Sequence, residues 1–184
     1  MKRAFQTRRT DGWEVVIARD FAEVESLRPT WEKLQQNECS PVVNTDVDRF
    51  ISVVEPMQDV VRPHVILLRN NGNPKAMLIG RVEEKRLNCK IGYKILLKPL
   101  LRCLSIVYDG LLGNLTDDLC AMLIRELQDA LGKGEADVVL FNHLRTGSPI
   151  YRLATTKPSF LCCGHLSKTE VHRSMSVPDS IDSF

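Results

Sequence analysis

The feature that most constrains this chain is a strand, helix, strand run in its second half. Residues 104–112 read as a strand. Thr116 caps a helix that opens on Asp117 and Asp118, and Leu119, Met122, Leu123, Leu127 and Leu131 make one apolar stripe ending at Gly132 and Gly134. Residues 136–141 follow as a short buried strand. A helix between two strands of one sheet is a crossover, and a crossover brings those strands into parallel. Upstream, 64–68 and 75–82 flank Asn70-Asn-Gly-Asn-Pro74, which is turn chemistry for a hairpin, and a hairpin is antiparallel. A chain holding both units builds a mixed sheet of the α/β (α+β) class.

The other elements fit around that sheet. Residues 13–19 read as a first strand, and Asp20 with Glu23 three residues on marks a helix start. Phe21, Val24, Leu27, Trp31 and Leu34 supply its apolar face, so Trp31 points to the core. Pro29 implies a kink, or two short helices of which the second opens near Arg28. After a loop through Cys39, Ser40 and Pro41, Thr45 is the expected cap of a second helix carrying Val47, Phe50, Ile51 and Val54, which stops at Pro56. Residues 90–97 read as one strand, separated from 104–112 by Lys98-Pro99. Ser148-Pro149 caps a short helix through Leu153, and 160–166 and 169–172 have strand character.

The 184 residues suit one domain, burying roughly 70% of the unfolded surface. A formal charge of +2 gives no electrostatic case for nucleic acid, and no apolar run is long enough for a membrane span. The six cysteines are scattered among apolar neighbours and read as reduced, which together with the missing apolar middle of a secretory leader places the chain in the cytoplasm. Residues 1–12, with Lys2, Arg3, Arg8 and Arg9, read as a flexible, solvated basic leader, 13–170 as the domain, and 171–184 as a strand or linker leading onward.

Few residues carry chemistry. His143, beside Asn142 at the end of a strand, is the candidate general base, set against a hydrogen-bonded structural histidine. Cys162, Cys163, His165 and His172 lack zinc spacing, so no metal is expected, and a small, partly buried strand residue is the reading for either cysteine, set against a nucleophile that only His165 is there to activate. Arg145, Arg152, Lys157 and Lys168 read as a solvated polar face, with a groove for an anionic substrate as the competing account. Trp13 and Trp31 are spaced for core packing.

The order strand, two helices, antiparallel strands, helix, strand, helix resembles the GNAT superfamily of acyltransferases. Four segments sharpen the likeness: Leu27-Arg-Pro-Thr-Trp-Glu-Lys-Leu34, the turn at Asn71-Gly72, residues 138–144 followed by Ser148-Pro149, and His172-Arg-Ser174. Together they resemble the CelD-type branch, linked to cellulose and exopolysaccharide biosynthesis and similar to FemAB-like enzymes. The resemblance covers about 13–184 and implies a GNAT-like mixed, largely antiparallel central sheet flanked by helices. It also implies an N-acetyltransferase family, acetyl-CoA as cofactor and a small-molecule or saccharide-precursor acceptor. Members commonly carry two GNAT-like halves; this chain looks like the amino-terminal one, with the second half, or another copy of the chain, as partner.

A catalytic GNAT domain seats the cofactor diphosphate on a glycine loop before a helix. The stretch in that place is Asp109-Gly-Leu-Leu-Gly-Asn-Leu-Thr116, where Gly110, Gly113 and Asn114 are the candidate cofactor contacts. Asp109, Asp117 and Asp118 put negative charge where phosphate would sit. At close range one such repulsion costs on the order of a few kcal/mol. The expectation is an acyltransferase-like half that shapes the acceptor groove without binding acetyl-CoA itself. The alternative is a non-catalytic, protein-binding scaffold on the same fold.

Overall fold

A computed structural model describes residues 6–10, 12–38, 43–91 and 93–157. In chain order the elements are β1 (Gln6–Thr10), β2 (Trp13–Ala18), α1 (Phe21–Gln36), α2 (Val47–Val54), β3 (Val61–Asn70), β4 (Asn73–Arg86), β5 (Cys89–Ile91), β6 (Lys94–Leu97), β7 (Leu100–Gly113), α3 (Asp117–Gly132), β8 (Val138–Phe141) and α4 (Pro149–Thr156). Asn71 and Gly72, at φ 47° and 79°, make the two-residue turn that joins β3 to β4 and set Asn70 opposite Asn73. Thr116 accepts the Leu119 amide and opens α3, and the return strand β8 lies parallel to β7.

The six-stranded sheet runs β1-β2-β3-β4-β7-β8, antiparallel at every junction except β7–β8. The expected class is therefore the observed one: a mixed, largely antiparallel sheet with helices on both faces. Because both faces are covered, β3 reads as a continuous buried run rather than an alternating one. Its Val65 and Leu67 pack with Met77, Ile79 and α1, while Ile66 and Leu68 pack with Leu78, Leu104 and α3. No described helix is long and apolar enough to cross a membrane.

Several local expectations change. Around Pro29 the chain forms one helix of 16 residues, not two. Proline removes one backbone bond, but Val24, Leu27, Trp31 and Leu34 on both sides of it share a buried face, and that packing holds the turns together. Asp46, not Thr45, caps α2, accepting the Arg49 amide at 2.8 Å. Thr45 lies in a single 3-10 turn instead, and its carbonyl takes the Trp31 indole N–H.

Residues 90–97 are no single strand. They form a separate two-stranded unit, β5 with β6, and the β6 residues Lys94–Leu97 stay exposed because no strand of the main sheet pairs with them. β8 is half-buried, not buried, since it is the last strand and has one neighbour. Residues 6–10, within the expected leader, pair with β2 as β1, and Arg8 reaches Asp129 at 2.6 Å and Glu126 at 3.4 Å on α3. Cys103 and Cys120 are buried free thiols, and burial pushes the Cys120 thiol up to about 11. The expected loop through Cys39, Ser40 and Pro41, the expected strands at 160–166 and 169–172, and the closing stretch 171–184 lie outside the described residues.

Candidate functional site

β7 outruns β8, and that mismatch opens a cleft. The two strands pair only where Cys103 to Ile106 face Val138 to Phe141, and β7 then continues alone on that side to Gly113. β7 also bulges there. Ile106 faces Gly80 and Leu111 faces Leu78, so the residues between them stand opposite Ile79 alone. The stretch expected as a loop from Asp109 onward is thus largely strand, and only 114–116 connect β7 to α3.

The bulge explains the glycines. A Cβ on Gly110 would lie 2.6 Å from Val107 Cγ2 and 2.8 Å from the Ile79 carbonyl oxygen, so this buried position admits no side chain. Gly113 sits at φ 99°, where a Cβ would overlap the Lys75 carbonyl oxygen of β4. Both glycines answer to the close approach of β4 and β7. Replacing Gly113 with alanine is expected to cost about 2 kcal/mol of unfolding free energy, read as a lower urea midpoint at unchanged m-value. Asn114 is exposed, and its carbonyl accepts the Thr116 amide at 3.0 Å.

Electrostatics at the cleft differ from a row of bare acids. Asp109 accepts from Arg145 at 3.1 Å, and both carboxylate oxygens of Asp117 lie 2.5 Å from Arg152. Two of the three expected acids are therefore ion-paired, and the two arginines expected on a solvated face supply the pairing. The arginines are exposed, so each pair adds at most about 1 kcal/mol, but each also occupies a guanidinium otherwise free to meet an anion. Asp118 is exposed in the first turn of α3.

A fourth carboxylate enters from sequence-distant chain. Glu38, just beyond α1, accepts the Gly113 amide at 2.7 Å. Nothing local in the sequence points to Glu38; it arrives only because α1 packs across β4 and β7. The residues present do not fit a coenzyme diphosphate. The amide that would approach it already serves Glu38, and four carboxylates stand against two engaged guanidiniums.

His143 stands at the rim of this cleft, exposed, at φ 53°, with its ring edge-on to Tyr108 at a centroid distance of 5.3 Å. It is reached from β8 and Tyr108 from β7, so the same strand mismatch brings them together. Further along the chain, an open depression of about 540 Å³ is lined by Thr146, Ser148, Tyr151 and Arg152 among others, and not by His143. Ser148 is engaged there: its hydroxyl donates to the Arg145 carbonyl at 2.7 Å and accepts the Tyr151 amide at 3.3 Å as the cap of α4. Lys157 is exposed at the end of α4. Trp13 is half-buried against the α3-side core and Trp31 is fully buried, as core packing requires. No cluster of metal-binding side chains occurs among the described residues, and Cys162, Cys163, His165, Lys168 and His172 lie outside them.

No family model matches the chain, and no curated protein matches it. It is similar to a solved structure of glucosamine-6-phosphate N-acetyltransferase from Arabidopsis thaliana. The identity is 12% and the TM-score 0.44, over 88% of this chain and 99% of that one.

Proposed function

We propose that this chain is an acyltransferase-like domain of GNAT type that forms one wall of an acceptor groove and does not itself seat acetyl-CoA. The observation that carries this reading is the Glu38 carboxylate on the Gly113 amide, beside Asp109, Asp117 and Asp118. Anion sites at a strand-to-helix turn need free amides and an unopposed helix N-terminus, and here Glu38 takes the Gly113 amide, the Thr116 hydroxyl takes the Leu119 amide, and Asp117 and Asp118 set negative charge in the first turn of α3. The strand order supports the acyltransferase type, with an antiparallel meander followed by a parallel crossover whose last two strands part beyond Ile106. In this reading the acceptor is a small molecule or saccharide precursor, the thioester comes from a second GNAT-like half or another copy, and the chain belongs with the CelD-type proteins. His143, whose ring meets that of Tyr108, takes the acceptor's proton in this reading.

Calorimetric titration with acetyl-CoA is expected to give no saturable heat for the native chain. The triple variant Glu38→Gln, Asp117→Asn, Asp118→Asn removes three negative charges at the turn and is expected to bring binding into the measurable range. Saturable micromolar binding by the native chain overturns the reading, and so does a triple variant that folds and stays silent.

A further inference from the structure

At the end of the sheet opposite the cleft, β4 and β7 leave their neighbours behind. β3 begins at Val61 opposite Glu83, and β8 begins at Val138 opposite Cys103, yet β4 and β7 stay paired as far as Arg86 and Leu100. The Leu87 amide donates to the Pro99 carbonyl at 3.1 Å, and β5 and β6 carry the ribbon further. The result is a two-stranded arm over 84–102 with no sheet strand on either side. Its tip is apolar and bare. Tyr93 is 90% exposed, Leu97 66% and Leu96 57%, with Ile95 and Leu100 also exposed, and Val60, the residue before β3 begins, lies at the same end of the sheet. Strand residues alternate between two faces, and Lys94, Ile95, Leu96 and Leu97 are all exposed, so both faces of the tip meet solvent.

We propose that this arm docks the protein on an anionic lipid surface, with the apolar tip seated among the headgroups. Charge selects the occupant. Residues 84–102 hold six basic side chains (Lys85, Arg86, Lys90, Lys94, Lys98 and Arg102) and one acidic, Glu84, a net of +5; since the whole chain carries +2, the rest of it nets −3. Lys85 and Arg102 are held by Glu83 and Asp137. Arg86, Lys94 and Lys98 are exposed and have no carboxylate partner among the described residues. A second copy meeting this arm through its own would set positive charge against positive charge. A flat protein face would cover one side of the ribbon and leave the other wet, whereas a headgroup layer surrounds an inserted tip. Seating at headgroup depth, about 5–10 Å, also leaves the unpaired strand edges hydrated, as they must be. Along β4, Asp109 stands opposite Ile79 and Leu100 opposite Arg86, seven residues or about 23 Å away, and the tip lies further out, so the proposal does not rest on the reading of the cleft.

Flotation of the full chain tests it, using vesicles of phosphatidylcholine alone and of phosphatidylcholine mixed with phosphatidylglycerol. The chain is expected to float with the mixed vesicles, to stay behind with the neutral ones, and to be released by high potassium chloride. Lys94→Gln and Lys98→Gln are each expected to weaken binding about fivefold. Leu96→Ser with Leu97→Ser is expected to abolish flotation, and because these side chains are exposed the variants should keep the native melting temperature. Failure to float with either vesicle overturns the proposal. So does equal binding to both, or a concentration-dependent dimer in sedimentation that Leu97→Asp dissolves. Acetyl-CoA titration of the same variants is expected to match that of the native chain, which separates this test from that of the cleft.

Discussion

Replacing Trp31 with alanine is expected to lower the unfolding free energy by about 3–5 kcal/mol, a large part of what a domain this size possesses. Trp31 is completely buried between α1 and the sheet, and its ring lies 5.5 Å from that of Phe50 on α2. Its indole N–H also donates to the Thr45 carbonyl at 2.6 Å, tying the start of the second helical region to the first. Alanine leaves a cavity and removes the indole's hydrogen bond to that carbonyl together. Phenylalanine at this position keeps most of the ring and loses only the hydrogen bond, so Trp31→Phe is expected to cost about 1–3 kcal/mol. Urea unfolding followed by circular dichroism separates the two variants. A loss under about 1 kcal/mol for alanine would mean that α1 and α2 are not pinned through this side chain.

Acid is expected to weaken the protein through His64. This side chain on β3 is fully buried, and neither ring nitrogen has a hydrogen-bond partner among the described residues. The nearest carboxylate oxygen, on Glu135, is 3.8 Å from Nδ1, beyond hydrogen-bond reach, and Glu135 is already gripped by Arg19 at 2.8 and 3.0 Å. Burial, reinforced by the positive fields of Arg19 and Arg62 and only partly opposed by Glu135, holds the imidazole down at about 4. In the unfolded chain it titrates near 6.5. Between those values the unfolded state binds the extra proton, so stability rises with pH across this window and is fully present above pH 6.5. The whole effect is about 3 kcal/mol, of which about 2 kcal/mol is lost by pH 5.

Other groups act mainly lower down. The Glu83, Glu135 and Asp137 carboxyls lie below their ordinary values, so their contribution is lost only at more acid pH, while Glu126, held up by burial, works in the opposite direction. His64→Leu removes two unpartnered nitrogens at nearly constant volume. It is expected to leave stability at pH 7.5 unchanged or higher and to flatten the slope between pH 5 and 6.5 in urea unfolding. A slope that survives in the leucine variant would place the acid sensitivity elsewhere.

Much of the scaffold was legible along the chain. The stripe from Leu119 to Leu131, the cap at Thr116 and the crossover to β8 needed only periodicity and handedness, and the turn at Asn71-Gly72 set the register of the central hairpin. The site was legible only as a set of candidates. His143 is placed at the cleft rim and Gly110 in the bulge, but Tyr108, the neighbour of His143, and Glu38, the partner of Gly113, carried no mark in the sequence. The bulge itself escaped notice because a run such as Val107-Tyr-Asp-Gly-Leu-Leu112 fits a regular strand as readily as an irregular one. Residues 90–97, expected as one strand, form two for a related reason. An apolar run looks like a buried strand until its neighbours are known, and here β3 and β8 begin too late to cover it.

What the chain determined by itself was everything settled within about four residues of backbone: Asp20 and Ser148 as helix starts, Asn71-Gly72 as a turn, and the buried faces of α1 and α3. Those choices depend on local dihedral preference and on a period, both written in adjacent letters. Tertiary structure decided which acid meets which base. Asp109 and Arg145 are 36 residues apart and Glu38 and Gly113 are 75, so only the strand order and the bulge bring them within hydrogen-bond distance. Charge is indifferent to sequence separation, and a carboxylate can belong to a ligand site or close one according to what the fold sets beside it.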